Sequence, residues 1–330
     1  MWSRLIAAAT ALSFASHAQA ACEGDGLDAL FDDAERAALT ETAEATPYGS
    51  GLLWRATKGD ADITIVGTMH LYDARHVALM ERVDSEIDGA ELLLVEMTSE
   101  EERAMNAAMV ERPELFFITQ GATLPDLLTE EMWAEVSAAA RDRQIPSFLA
   151  AKQQPWLLGI TLSMPTCAIA DLVAGRPGLD HMIIERAEAG GVPVSSLEAW
   201  DTLPSVFSAM SMDDQLGMLQ LALLEPELQE TAFVGMLDSY FAEEIAEIWA
   251  AQELLIARLE PEDQAAATEG LALTEELLMT GRNLAWMPII LEAAETHDRI
   301  VVAAGAAHMP GEEGVLKLLE AQGWAISPLD

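Results

Sequence analysis

Basic residues are scarce in this chain: 17 lysines and arginines face 56 aspartates and glutamates in 330 residues, a formal charge of −39. A field of that sign repels nucleic acid and anionic membrane, so neither is expected as a partner, and a well-solvated surface is its plainest meaning. Cysteine is scarcer still. Cys22 and Cys167 are the only two, enough for one bridge in an oxidising compartment or for two unpaired thiols. Only three tyrosines are present, Tyr48, Tyr72 and Tyr240, which leaves few phenolic ligands for iron.

Long apolar runs are missing after the first twenty residues, and no Gly/Ser-rich linker interrupts 99–189. Without a linker or a short repeat, the length is read as one large α/β domain at 51–330, preceded by a peripheral segment at 21–50. Residues 1–20 join an early Arg4, an apolar stretch and Ala18-Gln19-Ala20, the small-residue pattern of a cleavable signal peptide. That stretch is too short for a membrane anchor, and Gln19 stands where a lipobox before Cys22 needs an aliphatic residue. The expectation is a soluble periplasmic or secreted protein.

What is present is a pattern of short buried-looking strands that end in reactive side chains. Residues 52–57 alternate toward Lys58-Gly59-Asp60, and the β-branched run 62–66 follows, which predicts a hairpin. A helix over 73–87 and a strand over 91–97 complete a βαβ unit, whose right-handed crossover is expected to set the second strand beside the first. Residues 193–198 read as another strand, 300–304 as another and 324–326 as a last one, with helices near 27–39, over 99–189 and over 202–296.

The first strand runs into GTMH at 67–70 and the late one into GAAH at 305–308, so each G-x-x-H lies at a strand's carboxyl end. Ligands of parallel α/β sheets gather on that rim. Gly67 and Gly305 allow a tight turn that points each imidazole back over the sheet. Glu96, directly after the apolar run 92–95, emerges on the same edge.

Two neutral imidazoles and a carboxylate suit a divalent metal such as Mn, Co, Zn or Fe, with His70, His308 and Glu96 as ligands. Such an ion lowers the pKa of a bound water and readies it for attack on a carbonyl, Glu96 then being ligand or general base. Arg282 is expected to stabilise a developing oxyanion and Asn283 to orient water or substrate. Structural alternatives stand beside these roles: Glu96 as a helix cap, Arg282 as the partner of an internal carboxylate, Asn283 as a cap. His76 lacks the i,i+4 spacing of H-E-x-x-H and reads as a surface residue or one behind the site, while His181 and His297 read as structural or solvent-exposed.

Taken in order, GTMH at 67–70, ELLLVEM at 91–97, GLD at 178–180, SSLE at 195–198, GRNLAWM at 281–287 and the segment 301–324 resemble the TraB/PrgY/GumN family, which is related to the Tiki proteases. The resemblance implies an α/β fold of the erythromycin-esterase-like and ChaN-like kind, a central mixed sheet with flanking helices and a large helical insertion. It implies metal-dependent cleavage of a peptide or protein substrate, with His70, Glu96, Arg282, Asn283 and His308 at the site. Two other readings stay open: a ChaN-like protein that binds haem or iron without turnover, with Tyr72 near His70 as a further ligand, and a metal-free esterase with a histidine as general base.

Overall fold

In the computed structural model the described residues are Cys22 and 24–329, without the side chains at 262, 263 and 266. The signal peptide read at 1–20 lies outside them. Six strands are present among the described residues: β1 (Leu53–Lys58), β2 (Ala61–Thr68), β3 (Leu92–Val95), β4 (Val194–Ser196), β5 (Arg299–Gly305) and β6 (Ala325–Pro328). They form one mixed sheet in the order β4-β3-β5-β2-β1-β6. The first four in that order are parallel, and β1 and β6 are antiparallel additions at one edge.

The hairpin closes between Lys58 and Ala61, with Gly59 at φ +65°, a conformation that strains any L side chain. The βαβ expectation needs one correction: β3 does not pair with β2, because β5 stands between them and pairs with both. A strand buried over Ile300–Ala304 thereby takes the central place. Register then lines up the strand ends, Thr68 with Gly305 and Val95 with both Ala303 and Ser196. His70, Glu96, Glu198 and the turn Ala306–His308 therefore leave the sheet on one rim.

Both faces of the sheet are covered, and β5 shows how. Ile300, Val302 and Ala304 pack on one side with Trp286, Ile290, Leu316 and Leu319, from helices Gly281–Thr296 and Val315–Ala321. Val301 and Ala303 pack on the other with Val83 and Ile87 from helix His76–Asp88, Leu179 and Ile183 from helix Leu179–Gly190, and Tyr240. A strand buried on both faces reads as an unbroken apolar run, because neither pleat meets water.

The helical insertion has its own core, in which Val136, Leu158 and Leu162 meet Leu219 from the later helical stretch. The helix expected near 27–39 is two, Leu27–Leu30 and Asp33–Ala45, because Asp32 makes a capping box with Glu35 and starts a new helix. Leu27, Phe31 and Leu39 are buried against Ala250 and Ala251. The last strand begins one residue later than expected, since Trp324 turns into the core and its N–H donates to Leu319 O. Among the described residues no single helix is long and apolar enough to cross a membrane.

Candidate active site

The rim brings together all five residues singled out in the sequence. Glu96 lies at the centre: its Oε1 accepts the Gly305 N–H at 2.6 Å and stands 3.8 Å from His70 Nε2 and 4.0 Å from His308 Nε2. Its Oε2 accepts from Arg282 Nη2 at 2.5 Å. A side chain at 305 would crowd the site. A Cβ there would lie 3.2 Å from Glu96 Oε1, 3.6 Å from His308 Cδ2 and 3.8 Å from His70 Nε2, in the hollow that the three side chains enclose.

Each imidazole is held from behind by an oxygen. Asn283 Oδ1 lies 2.6 Å from His308 Nδ1, while the Asn283 amide donates to Glu313 O at 2.9 Å, which fixes its oxygen as the acceptor. Hence His308 carries its proton on Nδ1 and turns the Nε2 lone pair inward. The ring is almost fully buried and lies 4.3 Å from the Trp286 ring, centroid to centroid. On the opposite side Asp180 Oδ2 lies 3.1 Å from His70 Nδ1. The loop that carries His70 presses on Gly178, where a Cβ would stand 2.3 Å from His70 O, and Leu179 N–H donates to Met69 O at 2.9 Å.

Arg282 organises the carboxylates. Its Nε and Nη2 bind Glu198 at 2.9 Å each, Nη2 also binds Glu96, and Nη1 donates to Leu278 O at 3.1 Å and approaches His308 Nε2 at 3.2 Å. All five guanidinium N–H groups are thus engaged, and the contacts to Glu96 and Glu198 form the internal ion pair that stood beside the oxyanion role. Asn283 bonds His308 and the Glu313 carbonyl.

The charges follow from these contacts. Burial favours the neutral form of Glu96, but His70, Arg282 and His308 together with the Gly305 N–H outweigh it and hold its pKa near about 2. Burial, with Arg282 and His70 nearby, drives His308 down to about 3 against the pull of Glu96. For His70, desolvation of the inner ring edge is overcome by the Asp180 bond and by the charges of Glu96 and Asp180, which push it up to about 9. Its side chain is 58% exposed, so solvent screening trims the size of that shift and leaves its sign. One neutral and one protonated imidazole therefore flank a buried carboxylate.

Three residues of this network carried no assigned role in the sequence reading. Glu198 closes the SSLE segment and grips both Arg282 and the Trp286 indole N–H, at 3.2 Å. Asp180 belongs to GLD. His181, read as structural or solvent-exposed, is half-buried and bonded to Asp180 and Glu102. The expectation for His76 is corrected in part: it is no surface residue but fully buried beside Tyr240 and Phe241, with ring centroids 6.1 and 5.3 Å away.

The tyrosines have other duties. Tyr72 lies under Arg176 at 5.2 Å, Tyr48 packs edge-on to Trp54, and Tyr240 donates its hydroxyl to Gly67 O at 3.0 Å. Cys22 and Cys167 are joined in a disulfide.

The order and spacing of these elements agree with a family model: residues 52–328 match that of the TraB/PrgY/gumN family. The chain belongs to the TraB/PrgY/gumN family. The match spans every strand of the sheet and every residue of the rim network. No curated protein matches the chain.

Proposed function

We propose that this TraB/PrgY/gumN protein is an exported metal-dependent hydrolase that cleaves peptides. The observation that carries the reading is the convergence of two imidazole Nε2 atoms, each fixed from behind, on one oxygen of a buried carboxylate. Two ligand atoms each about 2.0–2.2 Å from one ion stand no more than about 4.4 Å apart, and the 3.8 and 4.0 Å edges to Glu96 fall inside that limit. The hollow over Gly305 supplies room, and Asp180 and Asn283 supply the outer hydrogen bonds that metal-binding histidines use.

Charge points the same way. Arg282 pairs with Glu96 and Glu198 while Asp180 and Glu102 bond only histidines, and the excess negative charge of the four carboxylates is balanced by protons on His70 and His181 or by a cation. His70, Glu96 and His308 would hold the ion, which when bound lowers the pKa of a coordinated water and polarises a carbonyl. Among the described residues, the one trio of Cys, His, Asp and Glu atoms lying within 4.8 Å of one another surrounds the disulfide, with Glu230. The His70–His308 edge is therefore wider than that, and the exposed His70 corner is the one that must close.

The peptide as substrate rests on the family's relation to the Tiki proteases. Cleavage of a mixed peptide pool by purified protein, lost with a chelator and restored by Mn or Co, supports the reading. Turnover that ignores the chelator supports a second one, the metal-free esterase, which the 3.2 Å approach of Arg282 Nη1 to His308 Nε2 favours, because a guanidinium then holds the lone pair that a metal needs.

A further inference from the structure

The Glu102–His181 pair lies outside the ligand trio yet reaches it through one oxygen. Asp180 Oδ2 stands 3.1 Å from His70 Nδ1 and 3.1 Å from His181 Nδ1, and Glu102 Oε1 stands 2.7 Å from His181 Nε2. Asp180 Oδ1 has no hydrogen-bond partner among the described residues. The two imidazoles alone therefore set the rotation of that carboxylate, and His70 is free on its solvent side to follow it.

The same turn of helix also reaches the segment of Glu198. Glu101 and Glu102 begin helix Ser99–Glu111, a few residues beyond Glu96. Glu101 Oε2 accepts the N–H of Trp200 at 2.9 Å, two residues after the Glu198 that grips Arg282 and Trp286. Adjacent glutamates thus brace both arms, one through His181 and Asp180, the other through the segment of Glu198. A surface ion pair with no such duty leaves metal affinity unmoved, so the two roles separate experimentally.

We propose, on the metal-hydrolase reading above, that His181, braced by Glu102, is a positioning residue that fixes Asp180 and so aims His70 Nε2 at Glu96. It touches neither ion nor substrate and acts through His70. Its two nitrogens have separable tasks. The amide of asparagine stands roughly where Nδ1 does and keeps the bond to Asp180; that of glutamine stands roughly where Nε2 does and keeps the bond to Glu102.

The test is the dissociation constant for Mn2+ alone, by equilibrium dialysis of purified protein, with thermal midpoints recorded beside it. His181→Asn is expected to bind within a few-fold of wild type, whereas His181→Gln and His181→Ala weaken binding by about tenfold or more, the scale of lost outer hydrogen bonds at metal sites. Glu102→Ala removes the bond at Nε2 but leaves the one to Asp180, and is expected to bind within a few-fold of wild type, as His181→Asn does. Midpoints stay close to wild type throughout, because His181 is half-exposed. Wild-type affinity in His181→Gln and His181→Ala overturns this inference alone, as does His181→Asn binding as weakly as His181→Ala. A wild-type protein that takes up no Mn2+, Co2+ or Zn2+ overturns the metal reading and this inference with it.

Discussion

Asn283 accepts the Nδ1–H of His308 across 2.6 Å, and this bond decides which nitrogen faces Glu96. Without it the tautomer is free, and the lone pair can turn to the wrong side of a ring packed at a tilt against Trp286. Asn283→Ala should weaken Mn2+ binding about 10- to 100-fold, while Asn283→Asp, which keeps an acceptor, should lose much less. Titration of both variants against wild type checks the contrast.

Gly305 and Gly178 should fail in different ways when changed to alanine. At 305 the new methyl enters the hollow between Glu96, His308 and His70, where no backbone stands in its way beyond the turn itself. Gly305→Ala should fold with a near-normal melting temperature and lose metal and activity. At 178 the methyl meets His70 O at 2.3 Å and His70 C at 2.4 Å, and backbone cannot yield as a side-chain tip does. Gly178→Ala should cost about 2 kcal/mol or more, read by urea unfolding.

Arg282 is nearly buried and stands between two carboxylates. Arg282→Met removes the cation that Glu96 and Glu198 share, and should destabilise the fold by about 3–5 kcal/mol. Arg282→Lys should rescue little of this, because one ammonium cannot replace five N–H groups in a fixed fork. Denaturant titrations of the two variants measure it.

The rim was legible because each of its principal residues follows a strand: His70, Glu96 and His308 are betrayed by the apolar runs before them. The central place of β5 was not, since local pattern names strands but not their neighbours. Asp180, His181 and Glu198 were hidden for a related reason. They meet His70, Glu102 and Arg282 across 110, 79 and 84 positions of sequence, contacts that no local period encodes. His76 looked polar and therefore outward, yet its helix starts against Tyr240 and Phe241, and the sheet-facing stripe that includes Leu79, Val83 and Ile87 takes it inside.

That burial has a pH signature. Desolvation lowers the His76 pKa below its usual 6.5, with Asp73 and Asp180 pulling upward and Arg75 downward. Above 6.5 neither state holds the proton; below it the unfolded chain binds a proton that the folded chain refuses. Stability should thus fall as pH drops from 6.5, by up to about 1.4 kcal/mol per unit, until the lowered folded value is reached. Neither ring nitrogen has a partner among the described residues, so His76→Phe sacrifices no hydrogen bond and should remove this part of the slope. Urea midpoints of the two proteins between pH 7 and 5 give the comparison.

The most direct measurement is metal content at equilibrium, by dialysis against Mn2+, Co2+ and Zn2+ followed by elemental analysis, for wild type and the His70→Ala/His308→Ala double variant. One ion per chain in the wild type and none retained by the double variant is the expected result. Equal uptake by both proteins, or none by either, would contradict a metal centre built on His70, Glu96 and His308.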